Sequence, residues 1–77
     1  ADNMKVSEKP VKKISAAELQ AIDDYYKSAA KHYLNFLQTN DKSELFKSII
    51  LYERILKINP EHKSKTDYNK AKALYEQ

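Results

Sequence analysis

The sequence predicts an all-α domain of three helices, a long helical hairpin with a third helix packed on it, and three observations lead there. Apolar residues recur at spacings of three and four from Ile14 onward, the period of a helix with one buried face. Helix-start signals precede the periodic runs, and the Asn59-Pro60 pair stops one of them. The 77 residues include no glycine, the residue that reaches hairpin-turn and phosphate-loop conformations most cheaply, so sheets and nucleotide-cradling loops are not expected.

The first helix starts at a capping box. Ser15 and Glu18 stand three apart, so the serine oxygen and the glutamate can each satisfy an otherwise unpaired amide of the first turn. Ile14 and Leu19 flank this box as a hydrophobic staple would. Leu19, Ile22, Tyr26, Ala29, Tyr33 and Phe36 then fall on one face. Ala30, Leu34 and Leu37 widen that face in the last turns, so the end of the first helix is expected to touch two elements.

Thr39 to Ser43 forms the connection, with Asp41 or Ser43 available as the next cap and Glu44 in the first turn, where a carboxylate suits the helix dipole. So short a turn makes the first two helices antiparallel neighbours. The second helix is expected to bury Leu45, Ser48, Ile49, Leu51, Tyr52, Ile55, Leu56 and Ile58. Proline ends it, because it disfavours helical geometry at Asn59 and brings no amide of its own. A third helix is expected to begin between Pro60 and Thr66, with Ser64 and Asp67 at capping-box spacing. Tyr68, Ala71, Leu74 and Tyr75 form its apolar stripe.

Composition narrows the class of function. Apolar residues at 42% suffice for a modest core and charged residues at 32% keep the outside solvated. A single core of this size supplies only about 3 to 5 kcal/mol. With no cysteine there is neither disulfide nor thiolate metal site, and two isolated histidines make a poor metal site, so no cofactor is expected. Association with another molecule is the remaining way to add stability. No apolar stretch approaches the roughly 20 residues that a membrane span needs.

The net charge of +3 is unevenly placed. Residues 1–13 carry Lys5, Lys9, Lys12 and Lys13 against Asp2 and Glu8, together with Pro10 and no periodicity, and are expected to be a disordered basic leader ahead of a domain spanning 14–77. The nearly neutral remainder argues against nucleic acid as the main partner. The start at Ala1, followed by a tail able to tether the domain, gives an expectation of a bacterial periplasmic or cell-envelope location.

From the second helix to residue 77 the chain resembles the tetratricopeptide repeat. Ser48, Tyr52, Ile55 and Pro60 fall at that repeat's intervals for a small residue, an aromatic, an aliphatic and the closing proline, and Ala71 falls at the small position of a following first helix. The connection between the first two helices is longer than the family's and lacks its glycine, the first helix is longer than usual, and a leucine position holds Lys70. The resemblance therefore covers one divergent repeat and the first helix of another. It implies binding of a protein or peptide in a groove lined by first-helix residues, here Lys65, Tyr68, Asn69, Lys72 and Tyr75. Lysine and asparagine beside tyrosines suit a carboxylate and an apolar side chain of a bound segment.

Phe46 and Ile50 lie one turn apart on the side of the second helix away from its main stripe, among Lys47, Glu53, Arg54 and Lys57. Such a charge-rimmed apolar pair is either an interface anchor or the seat of leader residues such as Val6, Val11 or Ile14 folded back over it. Tyr26, Tyr33 and Tyr52 stand at core spacing, expected to pack inside with their hydroxyls reaching the surface rather than to stack on bases. Asp23 and Asp24 diverge on a helix as solvated charges. His32 and His62 have no serine, cysteine or carboxylate at a catalytic spacing, and no nucleophile, acid-base pair or cofactor loop is recognisable. The expected function is a non-catalytic protein-interaction or scaffolding module, with Phe46, Ile50, Lys65, Tyr68, Asn69, Lys72 and Tyr75 as contact residues. The alternatives are a small basic helical protein that meets nucleic acid or an anionic membrane through its lysine leader, and a unit that assembles with copies of itself.

Overall fold

A computed structural model of the chain describes residues 13–77, which form α1 (Ala16–Thr39), α2 (Lys42–Ile58) and α3 (Ser64–Tyr75), with no strand among the described residues. The expected leader lies outside the described residues except for Lys13, which is exposed and irregular.

Both ends of α1 are closed by local chemistry. Ser15 Oγ accepts from the Glu18 amide at 3.1 Å while Glu18 Oε1 accepts from the Ser15 amide at 3.0 Å, completing the capping box. At the other end Asn40 takes the left-handed conformation, φ 61° and ψ 24°, and its amide donates to the Phe36 carbonyl. That position usually goes to glycine, and asparagine is the common substitute. Asp41 then caps α2, its Oδ1 accepting from the amide and the hydroxyl of Ser43 at 2.9 and 2.7 Å. The bend between α1 and α2 is therefore only Asn40 and Asp41, which lays the helices antiparallel. Asn59 is extended, as its place before Pro60 requires, and α2 ends at Ile58.

Two apolar clusters hold the helices together. Ile22, Ala29, Tyr52 and Ile55 form one, with Ile14, Tyr26, Leu51, Ile58 and Tyr68 packed around it. Phe36, Leu45, Ile49 and Ala71 form the other, with Tyr33, Tyr68 and Leu74 alongside. Ser48, fully buried, gives its hydroxyl to the Leu45 carbonyl, leaving a small residue where the helices approach. Helix α3 packs on α2, and Tyr68 belongs to both clusters.

Three expectations need correction. Leu19, Leu34 and Leu37 are exposed, at 56, 56 and 57%. The end of α1 does reach two elements, but through Phe36 and Tyr33; because α3 rests on α2, nothing among the described residues covers the Leu34 and Leu37 flank. Tyr52 does not bring its hydroxyl to the surface: it is 3% exposed, and burial pushes its pKa up to about 12. Ser64 is not the cap of α3 but its first residue, fully buried.

Candidate functional site

Antiparallel packing of α2 and α3 brings their outer faces into one register. On α2, Phe46, Ile50, Glu53 and Lys57 recur at four, three and four, so they share a face. On α3, Lys65, Tyr68, Lys72 and Tyr75 do the same. The two rows meet at both ends of the overlap. The Phe46 and Tyr75 rings lie 5.6 Å apart, inclined at 37°, and the Tyr68 hydroxyl donates to Glu53 Oε2 at 3.0 Å. Phe46 with Tyr75 and Glu53 with Tyr68 are thus rungs of the same antiparallel ladder.

The resulting platform has an apolar end and a recess. Phe46 is 47% and Tyr75 39% exposed, while Ile50 between them and the recess is half-buried. An open cavity of about 380 Å³ is lined by Glu53, Leu56, Lys57 and Tyr68. Lys72 holds its Nζ 5.5 Å from the Tyr68 ring centre, and Lys42 holds its Nζ 5.6 Å from that of Tyr75 while donating to the Tyr75 and Gln77 carbonyls at 3.0 Å each. Lys65, Asn69 and Lys72 are exposed. Lys57, Lys65 and Lys72 outnumber the Glu53 carboxylate on this face, so the charges met by a visitor are mainly positive.

Of the sequence-predicted contact residues, six stand in these two rows and Asn69 lies beside them on α3. Glu53 and Lys57 were expected only as charges rimming Phe46 and Ile50, and Leu56 only as part of the buried face; none was expected to line a recess with Tyr68. Their signal was the spacing from Phe46 along α2, which becomes meaningful only once α3 is known to lie beside it. For the fold-back of leader residues over Phe46, Val6 and Val11 lie outside the described residues; Ile14 packs instead against the Ile22 cluster.

The histidines also have partners that spacing alone did not reveal. His32 Nδ1 lies 2.8 Å from Glu44 Oε1, which also accepts from Asn35 Nδ2 at 2.9 Å, while Lys47 Nζ donates to Glu44 Oε2 at 3.1 Å. This staple joins the end of α1 to the start of α2. The His32 hydrogen bond, then those from Asn35 and Lys47, hold the Glu44 carboxyl down at about 2, against an ordinary 4.5. A carboxyl depressed by folding contributes stability that is present above pH 4.5 and is lost as pH falls toward 2. Glu44→Gln should therefore melt below the parent protein at about pH 5, and the two curves should converge by about pH 2 in a calorimetric series.

His62 faces Ser64: its Nδ1 lies 3.1 Å from the Ser64 amide and 2.9 Å from the Ser64 hydroxyl. The ring stands edge-on to Tyr26, with centres 5.5 Å apart. Asp23 and Asp24 do behave as surface charges, Asp23 pairing with Lys27 at 3.0 Å and Asp24 accepting from Gln20 at 3.1 Å.

Among the described residues no group of three or more histidine, cysteine, aspartate or glutamate side chains could hold a metal ion, and no helix is long and apolar enough to cross a membrane. What the platform can do is recognition: stack on an apolar side chain, admit another into the recess, and neutralise carboxylates with lysine. Comparison with known protein families, characterised proteins and solved structures found no match to this chain.

Proposed function

We propose that this chain is a non-catalytic interaction module that captures a segment of another protein on the α2–α3 platform, the segment carrying apolar side chains next to carboxylates. The observation that carries this reading is the shared register of the two rows, which sets an exposed aromatic pair and an open recess in line with lysines on both sides. Aromatic anchors in partly desolvated surroundings supply most of the energy of protein interfaces, and complementary charge supplies orientation and rate. A lipid surface fits less well, since Leu56 and Tyr68 line a recess that a flat headgroup layer does not enter. The resemblance of the sequence to the tetratricopeptide repeat supports this reading, because that family recognises extended segments beside its first helices, the role the resemblance would give α3.

Selection of short peptides from a random library on the 77-residue protein tests it. Enriched peptides should combine acidic and large apolar residues. Phe46→Ala should weaken their binding about tenfold, roughly 1.4 kcal/mol, and leave the melting temperature nearly unchanged, because the ring stands largely outside the core. Absence of enrichment, peptides that are basic instead of acidic, or a concentration-dependent dimer by sedimentation with Phe46 in its interface would each overturn the proposal.

A further inference from the structure

The start of α3 is closed in an unusual way. Its preceding residue, Lys63, makes no side-chain cap, so the first amides of the helix depend on a residue further upstream. That residue is His62. The Ser64 amide can only donate, so Nδ1 of His62, at 3.1 Å, must carry its lone pair; the Ser64 hydroxyl, 2.9 Å away, turns its proton to the same atom. Ser64 is completely buried and has no water to turn to if this acceptor is withdrawn.

We infer that His62 is a proton-operated latch on α3: with Nδ1 bare it holds the first turn of the helix, and with Nδ1 protonated it releases that turn. A proton on Nδ1 sets a donor against the Ser64 amide, which can only donate; the Ser64 hydroxyl can turn and accept the new N–H, so the bond that is lost is that of the amide. The Ser64 amide then has no acceptor while the Lys65 amide keeps the His62 carbonyl at 3.0 Å, so the first turn of α3 is loosened, and with it the approach of Tyr68, one turn further on, to Glu53.

The surroundings set the direction. From α1, the Tyr26 ring lies roughly perpendicular to the imidazole, and the Tyr26 hydroxyl reaches Asp67 of α3 at a long 3.5 Å. Lys63 holds its Nζ 5.3 Å from the Tyr26 ring centre on the same side. From α2 come the Asn59 carbonyl, which accepts the His62 amide at 3.0 Å, and Tyr52, whose ring centre is 6.4 Å from that of Tyr26. Burial, and after it the charge of Lys63, push the His62 pKa below its ordinary 6.5. A base whose pKa is lowered by folding contributes stability that is complete above its unfolded value of 6.5 and is lost as pH falls through the lower folded value. The latch is therefore closed at neutral pH and opens as pH falls from 6.5 through the lower folded value.

Hydrogen exchange of the α3 amides in the 77-residue protein, corrected for intrinsic rates, tests this at about pH 7.5 and about pH 5. Protection of Ser64 to Tyr68 should fall about tenfold on acidification while the Ile55 region of α2 stays protected. His62→Asn places a carbonyl oxygen, which mild acid does not protonate, near the Nδ1 position; its α3 protection should be the same at both values. His62→Ala should expose the first turn at both. Equal protection of the parent protein at the two values, or a pH-dependent loss that persists in His62→Asn, would overturn the latch. His32 is held by Glu44 between α1 and α2, so a signal confined to α3 excludes it as the source. The consequence for partner capture rests on the platform reading above: peptide affinity should drop at about pH 5 in the parent protein more than in His62→Asn. If no peptide binds at all, that reading fails while the exchange measurement still decides the latch.

Discussion

Ile55→Ala should remove most of the stability of this chain. Ile55 is fully buried among Ile22, Ala29 and Tyr52, where α1 and α2 meet. Truncating a buried isoleucine to alanine costs about 2 to 5 kcal/mol, from the lost transfer energy and the cavity left behind. A single core of this size supplies about 3 to 5 kcal/mol in total. The thermal midpoint by circular dichroism should therefore fall by about 10 °C or more, with the larger costs abolishing the transition. Leu34→Ala provides the contrast. Its side chain is 56% exposed, and its removal should change stability by less than about 0.5 kcal/mol. Equal losses in the two variants would mean that the hairpin is not packed along the Ile22–Ile55 seam.

The second large effect belongs to α3. Ala71 is fully buried, clustered with Phe36, Leu45 and Ile49, whereas Ala73 two residues later is exposed. Ala71→Glu forces a longer side chain and an unpaired charge into that seam, at a cost of about 3 kcal/mol or more. It should strip protection from the α3 amides, lower helicity and end peptide capture on the platform. Ala73→Glu should leave all three nearly as they are, since it places the same side chain on the solvent side of the same helix. Circular dichroism with hydrogen exchange distinguishes the pair. An Ala71→Glu protein that keeps α3 protected would show that α3 is not seated through Ala71.

What could be read from the sequence were the features that act within a few residues. The Ser15–Glu18 box, a cap at Asp41 or Ser43, the Asn59-Pro60 stop and, Leu19 apart, the buried faces of α1 and α2 follow from hydrogen-bond reach and the helical period alone. Leu34 and Leu37 could not be placed that way. An apolar flank is buried only if some helix lies over it, and the seat of α3 on α2 depends on Ala71 and Tyr68, which are far away in sequence. Phe46, Tyr68 and Tyr75 could be singled out from the sequence because an outward aromatic on a helix is conspicuous by itself. Glu53 stood out only as a rim charge, because its bond to a tyrosine fifteen residues later needs the seat of α3. The His32–Glu44 pair crosses the connection and needs the hairpin register. His62 was missed because histidine is not among the usual cap residues, and the serine beside it offered a more familiar candidate that burial put to another use.

The two-residue bend at Asn40 and Asp41 bears on how fast this chain finds its shape. Because α1 and α2 are joined so closely, the seam between them closes across a very small loop, and little chain entropy stands in the way of first contact. Helical chains rich in such sequence-near contacts fold in about microseconds to milliseconds. The hairpin can therefore assemble first and offer α3 a finished surface on which to dock.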